Sequence, residues 1–112
     1  MVYTSYFANW RKFPPGAVQV SISLYPPRGF KGHKFPDLQP PKELFSAYKN
    51  GRITESQYAD RFREYLETQD KTLILKFLND IGRDVVLLCY ETPEKFCQRH
   101  IVAEWLGIKE LI

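Results

Sequence analysis

Val85-Val86-Leu87-Leu88-Cys89 is a run of five apolar side chains that breaks at Tyr90-Glu91, and its reading decides how the rest of the chain is placed. A strand with one wet face alternates apolar and polar residues. One that is apolar on both faces belongs in the middle of a sheet, as buried parallel strands do. The run therefore predicts a central strand whose neighbours must come from elsewhere in the chain.

Two candidates lie near the start. Val2-Tyr3-Thr4-Ser5-Tyr6-Phe7 is rich in aromatic and β-branched residues and reads as a strand ending near Ala8-Asn9. Val18-Gln19-Val20-Ser21-Ile22-Ser23-Leu24 alternates at period two, which puts Val18, Val20, Ile22 and Leu24 on one face. Pro26-Pro27 stops it. From there to Pro41 the chain carries five of its eight prolines, with Gly29 and Gly32. This reads as a long ordered loop anchored by Tyr25, Phe30 and Phe35.

Helical patterning fills the gap before the central strand. Leu44 and Tyr48 lie four apart ahead of an Asn50-Gly51 stop. Thr54 and Gln57 are spaced as a capping box for a second helix, with Tyr58, Phe62, Tyr65 and Leu66 on its inner stripe. A third starts near Asp70, carries Ile74, Phe77, Leu78 and Ile81 inward, and ends at Gly82. After the central strand a last helix runs from about Pro93 or Phe96 to Trp105-Leu106, closed by Gly107. Strand, strand, three helices, central strand and helix make an α/β layered domain with a small, mainly parallel sheet flanked by helices, expected as one domain over 1–112. In open sheets of this kind ligands bind outside the carboxyl ends of the strands. Those ends fall at Ser5-Tyr6, at Ser23 to Arg28, and at Cys89 to Glu91.

Charge is distributed unevenly. No Asp or Glu occurs before Asp37, while Arg11, Lys12, Arg28, Lys31 and Lys34 do; the other 11 basic and all 13 acidic side chains follow. A basic first third is either a surface that accepts an anion, such as a nucleotide or nucleic acid, or simply a solvated face. No window approaches the roughly 18 apolar residues of a membrane span, and the start lacks the layout of a secretory signal. The expectation is a soluble, cytoplasmic protein without membrane contact. Two cysteines eight positions apart match neither a disulfide scaffold nor paired zinc spacing, and are read as reduced thiols.

The residues able to carry chemistry gather around the central strand. Cys97, early in the last helix and two residues before Arg99, has the surroundings of a lowered thiol pKa; it also shares a stripe with Ile101 and Trp105, which reads as a buried structural cysteine. His100 faces the same way as Cys97. A metal would need more ligands than Cys89, Cys97 and His100 supply in any standard spacing, so neither metal nor other cofactor is expected. Glu91 is placed either to act as a general base or sugar ligand, or to pair with Arg99. Tyr90 would stack on a base or roof the core. In the loop from Tyr25 to Phe35 cations alternate with rings, the pattern of loose nucleic-acid or nucleotide binding, and equally of a loop pinned by its own rings.

Leu88-Cys89-Tyr90-Glu91-Thr92-Pro93 together with Cys97-Gln98-Arg99 resembles the C-terminal signature of the domain of unknown function 488 family. The strand Val18 to Leu24 followed by Tyr25-Pro26 resembles that family's second strand, and Tyr3-Thr4-Ser5-Tyr6 its first. The resemblance spans nearly the whole chain. This sequence has Gln98 where the family usually has His, and Ser23 where it usually has Arg, with Arg28 nearby in the loop. The resemblance implies an intracellular Rossmann-like α/β domain with a pocket, and no agreed activity.

The functional expectation is a crevice at the strand ends that binds a phosphate-bearing ligand, nucleotide or nucleic acid. Ser5, Tyr6, Ser23, Arg28, Cys89, Tyr90 and Arg99 would line it, and Glu91 would orient a sugar or base. Two alternatives stand beside it: an enzyme with Cys97 or Cys89 as nucleophile and His100 or Glu91 as base, and a small module that grips a protein partner while its pocket is vestigial.

Overall fold

The structure is a computed structural model that describes residues 1–90 and 98–108. Four strands, β1 (Val2–Tyr6), β2 (Val18–Ser21), β3 (His33–Lys34) and β4 (Val85–Cys89), form one sheet in the order β1-β4-β2-β3, every pair parallel. The α/β reading holds. All five residues of β4 are buried, and it bonds to β1 on one side and β2 on the other, setting Leu87 opposite both Thr4 and Val20. A strand with wet edges or a wet face would have had to spend some of those positions on polar residues.

The flanking strands are shorter than their sequence patterns. β1 gives way at Phe7 to a 3-10 turn over Phe7–Lys12. β2 ends at Ser21; after a last bond from the Ile22 amide to the Leu88 carbonyl at 3.0 Å, a local turn takes over, in which the Ser21 hydroxyl accepts from the Ser23 amide at 3.2 Å and donates to the Ser23 carbonyl at 3.1 Å. The Pro-rich stretch is not wholly loop. It holds the two-residue β3 and a 3-10 turn at Pro36–Leu38.

Helices α1 (Lys42–Lys49), α2 (Glu55–Glu67) and α3 (Lys71–Asp80) join β3 to β4, and α4 is described over Gln98–Leu106. Gly51 ends the α1 region at φ +73°, a conformation that costs a side-chain-bearing residue and that glycine adopts freely. At the start of α2 the capping box is complete: Thr54 Oγ1 accepts from the Gln57 amide at 3.1 Å, and Gln57 Oε1 accepts from the Thr54 amide at 2.8 Å. Asp70 caps α3 by accepting from the Leu73 amide at 3.0 Å. The expected inner stripe of α3 needs one correction. Ile74 and Leu78 are buried, but Phe77 is 57% exposed, its ring lying edge-on to Phe35 with centroids 5.4 Å apart.

The two faces of the sheet are covered differently. Val85, Leu87 and Cys89 share a core with Val20, Ile22, Phe62, Leu66, Ile74, Leu78, Ile101 and Val102, so the helices cover this face. Val86 and Leu88, which point the other way, are fully buried yet lie outside that cluster. Chain direction explains the split. The β1-to-β2 connection crosses the sheet one way and the β3-to-β4 connection returns the other way, and two right-handed crossovers moving oppositely must run over opposite faces. The second face therefore receives the 3-10 turn after β1, where Asn9 donates to the Ser5 hydroxyl, and the ring of Phe30, packed against Phe7. Among the described residues no helix is long and apolar enough to cross a membrane.

Candidate functional site at the strand ends

At the carboxyl edge of the sheet, the helix-covered face is closed by the first described residues of α4. Gln98 is buried and its side-chain amide donates to the Ile22 carbonyl, just past β2, at 3.4 Å. Arg99, next along, is the largest fully buried side chain at 1% exposure. Its guanidinium lies 5.5 Å from the centre of the Tyr6 ring, at the end of β1, and its Nη1 donates to Cys89 Sγ, at the end of β4, over 3.8 Å. Two consecutive helix residues thus touch the ends of three strands. A guanidinium tolerates such burial better than an ammonium, because it is weakly hydrated and stacks on rings.

The other face at the same edge is a row of small polar groups. Ser5 and Ser21 both stand opposite Leu88 in register, one on each side of it, and both are fully buried. Asn9 folds back from the 3-10 turn to donate to Ser5 Oγ at 3.2 Å, and Ser23 completes a pair with Ser21. Buried hydroxyls of this kind are stable because they are bonded. Thr4, which faces the helices, differs: among the described residues its buried hydroxyl has no hydrogen-bond partner.

The rim is aromatic. Tyr90 is 48% exposed, stands edge-on to Phe7 at 5.1 Å, and donates its hydroxyl to the Tyr25 carbonyl. Partial burial raises its hydroxyl pKa above the ordinary tyrosine value. Tyr25 is 54% exposed and leans on Phe45 of α1 at 6.0 Å. Arg11 and Lys12, in the 3-10 turn after β1, and Arg28, in the loop after β2, are all exposed, with Arg11 over the ring of Trp10 at 5.1 Å.

Of the residues expected at the site, Ser5, Tyr6, Ser23, Cys89, Tyr90 and Arg99 lie at this one edge of the sheet. Arg28 is exposed on the loop, so the two arginines differ in kind, one outer and one inner. His100 is half-buried on α4 with its Nε2 shielded from solvent. Glu91 and Cys97 lie outside the described residues. The expectation of reduced thiols is overturned at Cys89, which is disulfide-bonded, and a sulfur so bonded is not a nucleophile. Sequence reasoning had passed over Asn9, Ser21 and Phe7, and had read Gln98 only as a departure. Neither Asn9 nor Gln98 carried a signal, since the partner of one is a buried hydroxyl and that of the other a backbone carbonyl 76 residues away.

Comparison with known proteins gives one positive finding: the family model described as the active DUF488-N3 subclade matches residues 8–110. No curated protein and no solved structure matches the chain.

Proposed function

The chain belongs to the DUF488 family, matching the model of its DUF488-N3a subclade, and from that premise we propose that the crevice at the strand ends binds a phosphate-bearing ligand, a nucleotide or nucleic acid. The observation that carries this reading is Arg99. It sets a guanidinium at the carboxyl edge of a parallel sheet, which is where ligands of such sheets bind. Exposed Arg11, Lys12 and Arg28 add the longer-ranged field that brings an anion to the crevice, and Tyr90 offers a ring at its mouth. Glu91, next after Tyr90 in the sequence, is the residue we assign to orienting a sugar or base. The subclade's description as active favours a working crevice over a vestigial one. A cysteine nucleophile is less well supported, since Cys89 is disulfide-bonded.

Thermal unfolding with AMP and with inorganic phosphate tests the proposal. Ligand at about 100 times its dissociation constant stabilises a fold by about 2.7 kcal/mol, which for a chain of this size is a shift on the order of 10 °C. The shift should saturate and shrink as salt rises. Arg99→Lys should keep part of it and Arg99→Met should lose it, while Arg28→Ala, on the surface, weakens it without altering the unliganded midpoint. No saturable shift with either anion would defeat the proposal.

A further inference from the structure

The rim does not end at Tyr25. Beyond it opens a second cleft, of about 610 Å³, between Tyr25 and α1, lined by Lys42, Phe45, Lys49 and Arg52 among others. Its charge is one-sided. Glu43 is the only carboxylate on its wall against three cations, and among the described residues none of those three cations is held in an ion pair. Lys49 instead lies over rings, its Nζ 5.4 Å from the centre of Phe45 and 5.9 Å from that of Tyr48. Tyr25 belongs to both places: its ring leans on Phe45 in the cleft, and its carbonyl accepts the hydroxyl of Tyr90 at the crevice.

Resting on the phosphate-ligand reading of the crevice, we propose that the ligand is a single-stranded nucleic acid, and that the Tyr25–α1 cleft is its second contact site. A mononucleotide would occupy the crevice and leave the cleft's cations idle. A strand crossing the Tyr90–Tyr25 ridge would lay unpaired bases on two half-exposed rings and run its backbone phosphates toward Lys42, Lys49 and Arg52. Rings on a surface stack only on bases that are not already paired, which selects single strands over duplex. Sequence preference should be slight, because stacking and phosphate contacts are indifferent to base identity.

Fluorescence anisotropy on the full chain tests this with 5′-labelled oligo-dT of 3 and 12 nucleotides, with oligo-U of the same lengths distinguishing DNA from RNA. The longer strand should bind at least tenfold more tightly than the shorter. Lys49→Glu with Arg52→Glu, both exposed and away from the crevice, should remove that gain while leaving the AMP thermal shift in place. The pair should also flatten the slope of log affinity against log salt by roughly 1.4, at about 0.7 per phosphate contact on a single strand. Tyr25→Ala should weaken the long strand several-fold. An intact AMP shift with affinity independent of strand length, or unmoved by the double charge reversal, overturns the cleft and spares the crevice. Absence of both the AMP shift and oligonucleotide binding overturns the two together. Polyglutamate that displaces the 12-mer at equal residue concentration reassigns the cleft to an acidic polypeptide and overturns the proposal as well.

Discussion

Gly32 is a residue whose importance comes from what surrounds it. A Cβ built at this position would run into the Phe30 ring and the Gln19 carbonyl of β2. The ring can swing aside, but the carbonyl belongs to the sheet. Gly32→Ala should therefore cost about 1–3 kcal/mol, the range for overpacking, and should push Phe30 off its edge contact with Phe7, 5.3 Å between centroids. Because Phe7 in turn supports Tyr90, the variant should also weaken the ligand binding proposed at the strand ends. Urea unfolding and the AMP thermal shift measure the two effects, and a variant as stable as the parent with an unchanged shift would refute this coupling. In sequence Gly32 was one of two glycines in a Pro-rich loop, and composition alone does not separate the one that is tightly packed from Gly29, around which a Cβ would meet nothing. The same holds for Gln98 and Asn9. A side chain whose partner is distant backbone or a buried hydroxyl leaves no periodicity to read, whereas Tyr90 could be placed because it directly follows a strand that could be located, and Arg99 because it lies in the helix after that strand.

Elements were legible in proportion to how local their causes are. The capping box at Thr54 and Gln57 is settled within four residues and formed as the sequence predicts, and the helix expected to start near Asp70 does so, with Asp70 as its cap. β3 was illegible: two exposed residues carry no alternation, and they become a strand only because β2 is there to pair with. The packing of α1 on α2 falls between. Tyr48 and Tyr58 stack face to face, centroids 4.7 Å apart with planes 4° from parallel, and burial together with neighbouring Tyr48 pushes the Tyr58 hydroxyl well above its ordinary pKa. The sign follows directly. A group whose pKa is raised in the folded state lends stability that is whole below its unfolded value of about 10 and falls away as pH rises beyond it. The contribution of Tyr58 should thus be unchanged through neutral pH and should lower stability above about pH 10. Tyr58→Phe should remove part of that decline, measured as unfolding midpoint against pH alongside tyrosinate absorbance. An alkaline profile identical in the variant would sink this assignment.

At the scale of the molecule, the α/β class and the common carboxyl edge of the parallel strands followed from one buried strand and the directions of its neighbours. The unequal covering of the two faces did not: it depends on the full order β1-β4-β2-β3, in which β4 inserts between β1 and β2 and the unforeseen β3 sets the direction of the return, and no single stretch records that order. That insertion also governs when the fold can exist. As the chain leaves the ribosome, β1 and β2 emerge first and have no direct pairing with each other in the finished sheet; only the short β2–β3 contact is available to them. Every other sheet bond waits for residues 85–89, and closing Val2 onto Val85 spans most of the chain, the kind of distant pairing that makes folding slow. A fragment of residues 1–84 should accordingly show helical circular dichroism without a cooperative unfolding transition, and a cooperative transition in it would contradict this order of events. The residues that complete the sheet are thus the same ones that form its carboxyl edge beside Arg99, so a nascent chain acquires that edge and its stability in a single late step.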